Sequence, residues 1–196
     1  ARFGSFSTAW GSDRMEYAVL ALGGPSNIEK KVRELQGALY RRQGLTSALS
    51  LPVMIPLCFL PPAAIPARRS TLRESLRSAV GKEAPYLTCK SVSEHGGCLF
   101  WELAPPRVLH RLRQRCERVF ARGHGAGERT PQEGRAEPFP PARGFFLCSL
   151  QGKPFESTQL PDLPDSLVFP ARTAFVLRFR TLPAAGQGVA CTSRHR

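Results

Sequence analysis

Met54-Ile55-Pro56-Leu57-Cys58-Phe59-Leu60 and Gly144-Phe145-Phe146-Leu147-Cys148-Ser149-Leu150 align without a gap, 90 positions apart, each with Leu-Cys at its centre. Apolar runs of this length read as buried strands and not as helices, because Pro52 and Pro61 bound the first, and Pro140, Pro141 and Gly152 the second. One pattern repeated at one long interval points to two similar lobes, each giving an equivalent central strand to a shared cleft.

Working outward, Met15 to Leu22 reads as a strand, and Ser26-Asn27-Ile28-Glu29 has the spacing of a capping box. The helix it opens carries Ile28, Val32, Leu35 and Leu39 on one face and ends near Gln43-Gly44. A second helix is expected from about Thr71, with Thr71 and Glu74 as its capping box and Leu72, Leu76 and Val80 as its apolar stripe. Tyr86 to Ser93 and Cys98 to Leu103 read as two strands around the turn His95-Gly96-Gly97. Beyond Pro105-Pro106 comes a strongly amphipathic helix with Val108, Leu109, Leu112, Cys116, Val119 and Phe120 inside and Gly123 as its stop. Residues 122 to 142 lack periodicity and read as an exposed loop, and Pro161, Asp162, Pro164, Asp165 and Pro170 mark a second turn-rich connection. Thr173 to Leu182 alternates cleanly and is expected to be the last strand. The domain thus spans 15–182, with loosely held tails at 1–14 and 183–196.

With Leu51 and Pro52 before it, the first copy of the repeat resembles the stretch of the 2H phosphoesterases (2′-5′ RNA ligase and cyclic phosphodiesterase-like proteins) in which Pro precedes His-x-Thr-Leu. The second copy, after Phe139-Pro140-Pro141, resembles that family's second His-x-Thr motif. The resemblance covers roughly residues 15 to 182. It implies an α+β, bilobal fold: two pseudo-symmetric lobes with antiparallel sheets around a central cleft, and helices outside. It also implies two cleft histidines acting as general acid and base, and two hydroxyls holding phosphate oxygens. Here the matching positions are Met54 and Pro56, then Gly144 and Phe146. None of the four can titrate or donate a side-chain hydrogen bond to phosphate. Each positioned acid or base typically contributes ~10² to 10⁴ in rate, so the loss of both is expected to silence the family's chemistry.

Charge is the other informative property. Lys and Arg total 28 against 15 Asp and Glu, a net charge of +13, as expected of a protein that meets polyanions. Candidate contacts to phosphate or nucleic acid are Arg143 beside the second motif, Arg111, Arg115 and Arg118 on the third long helix, and Lys30, Arg41 and Arg42 on the first. The other reading of this charge is an ordinary solvated face. The 6 cysteines form no C-x-x-C pair, which argues against a zinc site, and four fall on expected buried faces. A reduced, cytoplasmic setting is the simplest account. Neither metal nor cofactor is expected. His95 falls in a turn, His110 on a polar helix face, His124 in the Arg122-Gly123-His124-Gly125-Ala126-Gly127 loop and His195 in the tail, so no histidine is expected to point from a strand into the cleft. That glycine-rich loop follows a helix, the wrong context for a phosphate loop. No run of about eighteen apolar residues marks a membrane span.

These features lead to a catalytically degenerate 2H-like monomer that keeps a basic cleft and binds a phosphate-bearing ligand, with RNA as the candidate. Two alternatives stand beside it. One is a protein-interaction or structural module whose cleft is filled by Met54, Phe146 and their neighbours. The other is a phosphodiesterase working through non-family residues such as Arg143 and a loop histidine.

Overall fold

A computed structural model of the chain describes residues 16–60, 64–81, 84–122, 140–150, 152–155, 160, 166–171, 173–182 and 188–195. In chain order the elements are β1 (Glu16–Gly23), α1 (Ser26–Gln43), α2 (Ser47–Ser50), β2 (Ile55–Leu60), α3 (Arg69–Val80), β3 (Tyr86–His95), β4 (Cys98–Ala104), α4 (Pro106–Arg122), β5 (Gly144–Ser149), β6 (Val168–Pro170), β7 (Thr173–Leu182) and β8 (Gly188–His195). They build two sheets, β2-β1-β7-β8 and β5-β4-β3-β6, and all their pairings are antiparallel. The internal repeat is visible in this topology. In each sheet a repeat strand lies at the edge and a long helix connects it to its neighbour, β1–α1–β2 in one and β4–α4–β5 in the other. The helices are exchanged between lobes: α1 packs on β5, and α4 packs on β2.

Both repeat strands carry a bulge at the same place. Leu20 pairs with Cys58 and Ala21 with Pro56, which leaves Leu57 as the extra residue. Leu99 pairs with Cys148 and Phe100 with Phe146, which leaves Leu147. A bulge breaks strict alternation. Leu57 and Cys58 therefore enter the same core, as do Leu147 and Cys148, which accounts for the Leu-Cys pair at the centre of both copies. Elsewhere alternation separates two clusters. Ala18, Leu20, Leu22, Leu99, Trp101 and Leu103 face the main core under α1, α3 and α4, whereas Val19, Ala21, Cys98 and Phe100 face the other side of their sheets.

Several expectations are corrected. Neither capping box forms: the N-caps are Pro25 and Arg68, without side-chain cap bonds. Pro25 is already extended (φ −67°, ψ 158°), and its carbonyl accepts from the amides of Ile28 and Glu29 at 3.0 and 2.9 Å, so Ser26 is drawn into the first turn. β7 is not the last strand. Residues 188–195 pair with β7 as β8, because the amide and carbonyl groups along that edge of β7 need partners. Part of the turn-rich connection is also a strand, β6, which completes the outer edge of β3. The hairpin turn holds as expected, with Gly96 and Gly97 both at positive φ (57° and 71°) between the paired His95 and Cys98. Residues 123–139 and 1–15 lie outside the described set, and with them most of the expected loop and the N-terminal tail.

Trp101 ties the second sheet to its core. It is fully buried, and its indole N–H donates to the Lys90 carbonyl at 2.8 Å, where the β3–β4 register shifts. Trp101→Ala is expected to lower the unfolding free energy by about 3–5 kcal/mol in urea denaturation. Trp101→Phe keeps most of the volume but removes the bond to the Lys90 carbonyl, and should cost less, about 0.5–1.5 kcal/mol for the lost bond.

Candidate functional site

The two repeat strands meet at their free edges. The Phe146 amide donates to the Met54 carbonyl at 3.0 Å, and the Ala142 amide to the Pro56 carbonyl at 2.7 Å. Pro56 has no N–H to return a bond across the junction, and an edge strand is where a sheet tolerates proline. All four motif positions are buried at this junction. Met54 (0% exposed) and Phe146 (1%) belong to one apolar cluster with Val19, Ala21, Leu51, Cys98, Phe100, Phe175 and Leu177. Phe146 meets Phe100 edge to face, ring centroids 5.5 Å apart. Behind the junction, the buried Gln36 of α1 donates to the Phe146 carbonyl at 3.4 Å. Ser47 of α2 both accepts from the Ser149 amide and donates to its carbonyl, each at 3.0 Å. These bonds fix β5 from the α1 side.

Gly144 has a stronger reason to be glycine than the lack of a histidine. A Cβ there would stand 2.0 Å from the Trp101 carbonyl oxygen and 2.9 Å from Glu102 Cα. Both obstacles are backbone of the paired strand β4, so neither can swing aside.

One polar group shares this face. Ser93 pairs with Phe100, His95 with Cys98 and Glu102 with Gly144, so alternation puts all three on the side that carries Cys98 and Phe100. His95 Nε2 lies 2.7 Å from Glu102 Oε1 and 3.1 Å from Ser93 Oγ. The His95 ring also stands 6.3 Å from that of Phe100. His95 is thus the last residue of a strand, directed at the cleft face, and not a bare turn residue. The sequence signal that could have found it is its register, three positions before Cys98 and across a two-residue turn. Ser93 and Glu102 meet the same ring nitrogen, whereas a Ser-His-acid relay uses opposite ones, so this cluster is no nucleophile triad. Burial pushes the Glu102 carboxyl up, but hydrogen bonds from His95 and Ser93 and the charges of His95 and Arg143 outweigh it and hold the group below the usual carboxylate range.

Cysteine chemistry is suppressed on both sides of this sheet. Burial pushes the Cys98 thiol up to about 11, and those of Cys89 and Cys148 to about 12, so all three stay protonated and poorly nucleophilic near neutral pH. Among the described residues no group of three or more His, Cys, Asp or Glu could hold a metal ion.

Solved structures share this fold. TT0787 of Thermus thermophilus matches with a TM-score of 0.58 at 14% identity, over 91% of this chain and 96% of that one. LigT of E. coli, crystallised with NADP+, matches with a TM-score of 0.50 at 14% identity, over 93% and 97% of the two chains. The chain has the 2H phosphoesterase fold. No family model and no curated protein sequence matches it.

Within the 2H fold the basic candidates are dispersed. Arg143 is exposed where β5 begins, and its charge reaches Glu102. Lys30, Arg41 and Arg42 are exposed on α1, and Arg111, Arg115 and Arg118 on α4. None of the seven lies buried between the repeat strands, where the described side chains form an apolar cluster, and Arg143 alone of them is placed beside the polar His95–Glu102 group. Burying guanidinium groups among Phe100, Phe146 and Phe175 would have required paired anions. His110 is exposed on α4, while His124 and the His195 side chain lie outside the described set. No helix among the described residues is long and apolar enough to cross a membrane.

Two outcomes follow from this geometry. Gly144→Ala should destabilise the fold by about 1–3 kcal/mol or more in urea denaturation, since the added methyl meets backbone on two sides. Gly144→His should do no better, and a variant with histidine at both 54 and 144 should gain no hydrolytic activity. The second outcome concerns acid. Because the folded-state pKa of Glu102 is depressed, its ionised form contributes stability that is fully present above the unfolded value of about 4.3 and is lost as pH falls through the lower folded value. Thermal unfolding measured from pH 7 down to pH 3 should show a smaller acid-induced loss in Glu102→Gln than in the parent. The side chain is 34% exposed, so solvent screening keeps the difference modest.

Proposed function

We propose that this chain is a catalytically silent protein of the 2H fold that binds a phosphate-bearing ligand, with RNA as the candidate, and does not cleave it. The observation that carries this reading is the apolar burial of Met54, Pro56, Gly144 and Phe146, the positions from which the family resemblance expects acid, base and phosphate-holding groups. The ligand class is supported by the net charge of +13 and by the nucleotide-bound state of the similar LigT structure. Five described cysteines are free and buried, which suits a reducing, cytoplasmic setting.

A second reading has its own support. The apolar cluster that occupies the junction suits a structural or protein-interaction module whose cleft no longer admits a ligand. The His95–Glu102 pair with Arg143 is the feature that an enzyme using non-family residues would need.

One assay set separates the three. Purified protein incubated with a 2′,3′-cyclic nucleotide or a 2′-5′-linked dinucleotide should show hydrolysis at the background rate, while titration with single-stranded RNA at low salt should show binding in the micromolar range. Turnover abolished by His95→Ala would establish the enzyme reading. Absence of both turnover and binding would leave the interaction module.

A further inference from the structure

The filled junction raises the question of where a phosphate-bearing ligand would sit. Outside it, the C-terminal end of α3, the middle of α4 and the β3–β6 edge enclose an open groove of about 930 Å³. Its apolar wall includes Val80, Val108, Leu112 and Pro170, and its only charged lining residues among those described are Arg111 and Arg115. A groove of this volume is in the range that holds small ligands, with room for a nucleotide or two.

The helix that supplies these arginines sorts its charges onto separate sides. Arg107, Arg111, Arg115 and Arg118 follow one another at intervals of four, four and three residues, which places them on one strip, and all four are exposed. Glu117, the one acidic residue of α4, falls on another side and pairs there with Arg113 at 2.7 Å. Among the described residues no carboxylate pairs with the strip. Arg115 is tied to the end of α3: its Nη1 donates to the Val80 carbonyl at 3.4 Å, which uses one of five guanidinium N–H donors. Arg111 and Arg115 are one turn apart, about 6 Å along the axis, a spacing on the scale of successive nucleotides.

We infer that this groove and the α4 arginine strip form a single-stranded RNA site outside the family cleft, in which guanidinium forks hold successive phosphates and the apolar wall receives a sugar or base. The inference rests on the non-cleaving reading above and adds a location to it. Contacts of this kind fix backbone position without reading sequence, so affinity depends on salt and little on base composition.

The test is fluorescence anisotropy with a labelled 15-residue oligouridylate, across a series of salt concentrations, on the full chain and three variants. The first is Arg111→Glu with Arg118→Glu, which spares the Arg115 contact to α3. The second is Arg115→Ala, checked for folding by circular dichroism. The third, Lys31→Ala with Arg33→Ala, removes two exposed charges from α1 as a control. The first variant is expected to weaken binding at least tenfold and to flatten the salt slope by about 0.7 for each phosphate no longer neutralised. Arg115→Ala, if folded, is expected to weaken binding in the same direction. The α1 variant is expected to bind within about twofold of the parent. Equal weakening by the α1 and α4 variants would mean diffuse attraction and overturn the site while leaving the RNA-binding reading standing. No binding by the parent chain, to this RNA or to a cyclic nucleotide, would remove that reading as well.

Discussion

The hydrogen bond from the Phe146 amide to the Met54 carbonyl joins two edge strands that would otherwise end their sheets exposed. Much of the architecture depends on that junction. It brings the two repeat strands side by side, and the bulges at Leu57 and Leu147 then turn two consecutive residues of each strand into the main core. The long helices lock it from behind, because each lies on the repeat strand of the other lobe. A repeat that builds two similar halves thus becomes one unit through exchanged packing.

The same junction decides what the cleft can do. In a site for phosphodiester chemistry, side chains at these positions must carry protons and hold oxygens. Here Met54 and Phe146 contribute to an apolar cluster with Phe100 and Phe175, and the Trp101 carbonyl occupies the space a side chain at 144 would need. The replacements are consistent with one another. Pro56 removes an amide at the strand edge, Phe146 fills the volume in front of Phe100, and Gly144 lets β4 approach closely. The polar remnant is the His95–Glu102–Ser93 group at the margin of this cluster, where partial exposure lets a carboxylate stay ionised.

The arginine excess is organised by the helices and not by the cleft. On α1 the last-turn residues Arg41 and Arg42 face the negative end of the helix, a placement that stabilises the helix whatever else it does. On α4 the strip through Arg111 and Arg115 borders a groove with an apolar wall, which distinguishes it from a uniformly solvated face. A charged surface attracts polyanions in general, but a groove that offers fixed forks next to apolar surface can hold one in a defined place.

The sequence by itself determined most of the elements and the pair of repeat strands. Ungapped alignment of two apolar heptamers located β2 and β5, helical periodicity placed α1, α3 and α4, and Gly96-Gly97 fixed the hairpin. It also showed which side chains are missing at positions 54, 56, 144 and 146, since residue identity alone decides what can titrate. Tertiary structure decided the rest. Pro25 displaced the expected Ser26 cap, and β8 formed because β7 offers a second edge, a long-range pairing that no local pattern encodes. The bulges, the exclusion of a side chain at Gly144 and the approach of His95 to Glu102 all arise from register between strands. Register is set by contacts across the sheet, so residues that look unrelated along the chain become neighbours only once the strands pair.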